Sequence, residues 1–193
     1  MLAAFSSTPP TSVAVEVRGE LSNEDVSVLA LAALRGVFSG VVEDQVTFVN
    51  ATRIAEELGV AVTLVKEAES PNHRSLVTLR AVYPSGDVLT VSGTISGIAA
   101  VEKVVEVHGR SFDLRAEGAN LLLEYEDRPG VMGVVGTLLG KVGINIEAAQ
   151  ISQMSEGEDA VMILRVDRPV DPSVLESIGA SVRAEIIRTV NFG

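Results

Sequence analysis

Cysteine is absent from the 193 residues, histidine occurs only twice, and aromatic residues make up 4%. Without cysteine there is no disulfide, no zinc thiolate and no cysteine nucleophile, which fits a reducing cytoplasm. No acid lies at a spacing that would make His73 or His108 a general base, so both read as surface or turn residues and no catalytic or metal-binding cluster is assigned. Basic residues are also scarce. There are 15 Lys and Arg against 26 Asp and Glu, a net charge of -11. Such a field repels polyanions and argues against general nucleic-acid binding, although a local cationic pocket could still hold a small anion. No apolar run reaches the ~18 residues of a membrane span, so no membrane partner is expected. The opening "MLAAFSSTPPTS" has neither a basic n-region nor a long apolar core, so residues 1–11 read as a flexible lead-in and not a signal peptide.

Hydrophobic residues account for 47% of the chain and mean hydropathy is +0.34, the balance of a globular protein. "SVAVEVRGE" alternates as a strand. Ser22 is then placed to cap an apolar helix over "VSVLALAALRGVFSGV", and Asn50 a second helix, "NATRIAEELG". Three strand-like segments follow, "VAVTLVKEAE", "SLVTLRAVYP" and "DVLTVSGTIS", the last two joined by the turn "PSGD". "VEKVVEV", the turn "HGR" and "SFDLRAEG" complete a first domain over residues 12–117. Over 118–193 the order is strand 119–126, helix 130–141, strand 145–154, the polar loop "SEGED", strand 159–167, a short helix and a last strand. That βαββαβ order predicts a ferredoxin-like sandwich, and the whole chain an α+β protein of two domains.

"YEDRPGVMGVVGTLLGKVGINI" resembles at first a glycine-rich phosphate loop. The glycines fall at 130, 133 and 136, so the tight G-x-G of a dinucleotide fingerprint is missing, as is a P-loop lysine followed by Ser or Thr. The stretch reads better as a helix with one nearly bare face that another backbone can approach. Asp127 stands just before this helix. A carboxylate beside the unpaired N–H groups of a helix start complements an α-amino acid, the Asp taking the ammonium and the helix the ligand carboxylate. Alternatively, Asp127 simply caps its own helix.

The same stretch resembles the ACT regulatory domain of the D-3-phosphoglycerate dehydrogenase family. "VRGEL", "ALRGVFS", "VTFVNA", "ESPNHRS" and "HGRSFDLRA" resemble the intervening, allosteric-substrate-binding domain, an α/β sandwich, that precedes it in long, actinobacterial-type members. The resemblance implies the C-terminal regulatory region of such an enzyme, without the catalytic part or its NAD site, and so no cofactor in this chain. It implies L-serine as feedback inhibitor, with contacts from Tyr125, Asp127 and Asn145 and from the backbone of Val131 and Met132. Lys103, Arg115 and Arg165 are implied as a pocket between the domains for a phosphorylated substrate or small anion. Homodimers or homotetramers through the ACT and intervening domains are expected, in the cytoplasm. Two rivals stay open, the regulatory region of a serine dehydratase and a free-standing amino-acid-binding ACT adaptor.

Spacing adds one constraint. A helix from Gly130 to Lys141 separates Asp127 from Asn145 by ~18 Å, too far for one serine. If both bind it, they come from two chains. Alternation in "VMILRVD" puts Arg165 on the strand face opposite Leu164 and Val166.

Overall fold

The computed structural model describes residues 8–153 and 159–192. The lead-in expected over 1–11 lies partly outside these residues, as does most of the "SEGED" loop. By packing, the chain divides into two compact units, 1–109 and 110–193.

The first sheet contains β1 (Ser12–Gly19), β2 (Ala61–Glu67), β3 (Ser75–Val82), β4 (Val88–Ser96), β5 (Val101–Val107) and β6 (Arg110–Arg115), in the order β2-β1-β3-β4-β5-β6. β1 is parallel to β2 and antiparallel to β3. Its alternation works as expected: Val13, Val15 and Val17 are buried. Val15 and Val17 pack with Val26 and Ala33, against Leu21, Leu29, Val77 and Leu79. Helices α1 (Ser27–Phe38) and α2 (Ala51–Glu57) fill the β1–β2 crossover. The turn between β5 and β6 has positive φ at both His108 and Gly109, the backbone of a tight two-residue hairpin.

Two helix caps differ from expectation. Ser22 lies in a 3-10 turn, Glu20–Asn23, and is buried. The start of α1 is instead tied by Ser27 N donating to Asp25 Oδ1 at 3.0 Å. Asn50 stands at the N-cap of α2 but makes no capping bond. Its Oδ1 accepts from Thr47 N at 2.7 Å and its Nδ2 donates to Gln45 O at 3.0 Å, so it organises the preceding loop. Both are short polar side chains that bond equally well to a turn and to a helix start.

The second unit carries β7 (Gly118–Glu126), α3 (Val131–Lys141), β8 (Ile146–Gln153), β9 (Asp159–Val166), α4 (Pro172–Val182) and β10 (Ala184–Phe192). Its sheet runs β10-β7-β9-β8, antiparallel throughout. Leu121, Leu123 and Tyr125 of β7 and Met162, Leu164 and Val166 of β9 share a core with Val131, Val135 and Leu139 of α3 and Ile178 and Val182 of α4. This is the ferredoxin-like arrangement, one apolar sheet face covered by two helices. Arg165 projects from the other face, as the alternation required.

β6 belongs to the second compact unit, so the division falls ahead of the 117/118 boundary. The reason is chemical. Gln150 of β8 exchanges two hydrogen bonds with the Asp113 backbone, at 2.9 and 2.7 Å. Arg110 is 6% exposed and pairs with Glu124 of β7 at 3.0 Å.

Candidate functional site

Asp127 follows the last residue of β7 and is exposed. Gly130 is the N-cap of α3, with a left-handed φ of 94°, and as a glycine it offers no side-chain cap. The N-cap position itself is thus held by Gly130 and not by Asp127, which lies three residues before it. The first N–H groups of α3, at Val131 and Met132, have no acceptor within the helix, and they open it next to a carboxylate. The positive φ suits glycine and lets the chain turn from strand to helix within a few residues.

Tyr125 is two residues back on the core-facing side of β7. It is 2% exposed, packed in the cluster beneath α3. Burial raises its hydroxyl pKa above the ordinary tyrosine value, and the nearby charge of Asp127 adds to that. Its side chain is thus a wall of the core immediately below the Asp127 turn. The strand alternation that buries Leu121 and Leu123 could have signalled this.

Asn145 lies beyond the other end of α3. The turn leading to it is fixed by Gly143, at φ 71°, and by the Arg168 guanidinium, which donates to Gly143 O. Asn145 N donates to Asp167 Oδ1 at 3.1 Å, and Asp167 N donates to Asn145 O at 3.1 Å. Neither bond uses the Asn145 side chain, which is exposed. Sheet register places Asn145 at the far end of the unit. The adjacent Ile146 pairs with Val166, which pairs with Ala119, whereas Glu126, before Asp127, pairs with Asp159.

The bare face of α3 is open. A Cβ built at Gly133, Gly136 or Gly140 meets nothing within 4 Å. The close helix packing expected from these glycines is therefore not made among the described residues.

The three candidate anion ligands occupy different settings. Lys103 is on β5, opposite Thr94. Arg115 is the exposed last residue of β6. Arg165 of β9 already holds two carboxylates: it pairs with Glu117, and its Nε donates to Glu147 Oε2 at 3.1 Å. Sequence reasoning missed both acids. Glu147 sits where the β8–β9 register slips between Ile146 and Ala148, and a bulge of that kind leaves no signal in composition.

No group of three or more His, Asp or Glu among the described residues could hold a metal ion. No helix among them is long and apolar enough to cross a membrane.

Residues 1–108 match the D-3-phosphoglycerate dehydrogenase intervening domain, and residues 119–182 match the ACT domain. The chain is 51% identical to D-3-phosphoglycerate dehydrogenase of Mycobacterium leprae over 192 residues, 100% of this chain and 36% of that protein. It is 52% identical to the Mycobacterium tuberculosis enzyme over 95% of this chain and 35% of that protein. The Bacillus subtilis enzyme is 26% identical over 88% of this chain and 32% of its own length. The chain thus spans about a third of the relatives it matches, in their C-terminal part. With an intervening domain followed by an ACT domain, and with the strand order and helix placement described above, the chain belongs to the D-3-phosphoglycerate dehydrogenase family and represents its C-terminal regulatory region.

Proposed function

We propose that this chain is the serine-sensing part of an NAD-dependent phosphoglycerate dehydrogenase of L-serine biosynthesis, and that L-serine binds between two ACT domains as a feedback inhibitor. The observation that carries this reading is the start of α3. Asp127 offers a carboxylate to an ammonium, and the N–H groups of Val131 and Met132 in the first turn of α3 offer donors to a carboxylate, as an α-amino acid requires. Asn145 of a second chain would bond the serine hydroxyl through its amide, which both donates and accepts. Tyr125 supports the site from within the core. The NAD site and the chemistry belong to the part of the parent enzyme that this chain does not match.

A second site, for a phosphorylated substrate or small anion, is assigned to Lys103, Arg115 and Arg165. Arginine suits that task because its planar fork meets oxyanions through two N–H groups at once.

Calorimetric titration with a panel of amino acids, run beside a mass measurement in solution, tests the first site. L-serine should bind saturably to a dimer or tetramer, and Asp127→Ala should abolish most of that binding. An absence of serine binding by the assembled protein would overturn the reading.

A further inference from the structure

The strand at one edge of the first sheet has the sequence of a covered strand. β2 runs parallel to β1, and no described strand pairs with its outer side. Parallel strands are normally covered on both faces and read as continuous apolar runs. β2 reads that way from Ala61 to Val65, ahead of Lys66 and Glu67, yet all seven of its residues are exposed. Val62 and Leu64 pair with Val13 and Val15 and so lie on the helix-covered face, whereas Val65 lies on the other. The usual guards of an open edge, an early charge, a proline or a bulge, do not occur between Ala61 and Val65.

α1 extends the same surface. Arg35 is its one charged residue, and the exposed Val28, Ala32 and Gly36, four residues apart, give it an apolar outer face. A helix that is apolar all round is ordinarily buried. α1 packs against β2, and Lys66 Nζ donates to Glu24 O at 2.6 Å, which ties the end of β2 to the approach to α1.

The path of the chain identifies the occupant. Thr11 O accepts from Ala61 N at 3.0 Å, and Thr11 N donates to Val82 O at 2.7 Å, so the polypeptide enters β1 alongside the first residue of β2. In the relatives the matched region is the C-terminal third, and the larger part of the polypeptide precedes it. That larger part is attached at the foot of the β2–α1 surface. A partner tethered beside its own docking surface meets it at up to about millimolar effective concentration, which a free copy does not match.

We propose that the β2 edge and the apolar face of α1 dock the catalytic part of the same polypeptide. The proposal rests on this chain being the regulatory region of a dehydrogenase, and not on serine binding. Strand alternation that turns the Ala61 N–H towards β1 turns those of Val62, Leu64 and Lys66 outward, where the docked part covers or pairs them.

Amide hydrogen exchange, compared between this chain alone and the full-length polypeptide at equal concentration, tests it. The outward β2 amides should exchange as an open edge in the chain alone and be protected in the full-length protein. Leu64→Lys and Val65→Lys, on opposite faces of the strand, should each lose that protection. Ile98→Lys, at a fully exposed turn after β4, should keep it. All three side chains are exposed, and unchanged protection of β1 and β3 checks that the fold survives. If β2 exchanges as fast in the full-length protein as in the chain alone, docking is overturned, and a serine titration of the same sample shows whether the serine site stands without it. Protection of β2 already present in the chain alone, and rising with its concentration, would place a second copy on this surface and overturn the proposal too.

Discussion

Asp127 and Asn145 stand at opposite ends of α3, separated by its eleven residues and by the length of the β7–β9 ladder. The helix alone accounts for about 16 Å, and seven strand steps for about 23 Å. A free amino acid spans only a few ångström, so within one chain the two residues cannot share it. They could do so if two chains paired about a two-fold axis with the Asp127 end of one unit beside the Asn145 end of the other.

The buried pair Arg110–Glu124 should dominate the stability of the second unit. Arg110→Met leaves the Glu124 carboxylate without its partner on a largely buried face, at a cost of about 3–5 kcal/mol. Joint replacement by Arg110→Met and Glu124→Leu should recover most of the loss. Urea unfolding checks both. A single variant within about 0.5 kcal/mol of the parent would show that the pair is not holding β6 to β7.

Gly19 and the α3 glycines should respond in opposite directions. Gly19 has φ 78°, and a Cβ there would meet Arg74 O at 2.3 Å, so Gly19→Ala should cost at least about 1–3 kcal/mol. Gly133→Ala and Gly140→Ala enter open space within a helix and should gain about 0.5–1 kcal/mol each in dilute protein. Thermal melts of the three variants separate the cases. A destabilised Gly133→Ala would mean that a second chain already covers this face.

The cap of α4 gives a pH signature. Hydrogen bonds from the Ser173 hydroxyl and then from the Ser173 N–H hold the Asp171 carboxyl below its ordinary pKa. A depressed carboxylate stabilises the fold fully above the unfolded-state pKa and loses that contribution as pH falls through the folded-state value. The melting-temperature gap between parent and Asp171→Ala should therefore be widest near neutrality and close in acid, below the ordinary aspartate range. A gap that widens on acidification would contradict the assignment.

Much of the fold was legible because alternation and turn chemistry agree along the chain. Val13, Val15 and Val17 mark β1, and "HGR" supplies the two positive φ angles its hairpin needs. The last helix reads from sequence only as a short helix, and the structure adds that Asp171 caps its start. Ser22 and Asn50 misled because a polar side chain beside a helix can as well serve a turn. In the candidate site, Asp127 and the α3 start could be read from chemistry and spacing. The carboxylates on Arg165 could not, since one depends on a bulge and the other on a turn held by the buried Asn120, and both are set by tertiary contacts. Nor did the glycine spacing say whose backbone would approach α3.

Serine binding across two chains is tested most directly by complementation. Asp127→Ala and Asn145→Ala proteins are titrated with L-serine separately, then after mixing under conditions where exchange of subunits is confirmed by mass. Each alone should lose most binding. In a mixed dimer one of two symmetric sites carries both substitutions and the other carries neither, so the mixture should bind serine with near-parental affinity and partial stoichiometry. A mixture that exchanges subunits yet binds no serine would contradict a site shared between Asp127 of one chain and Asn145 of the next.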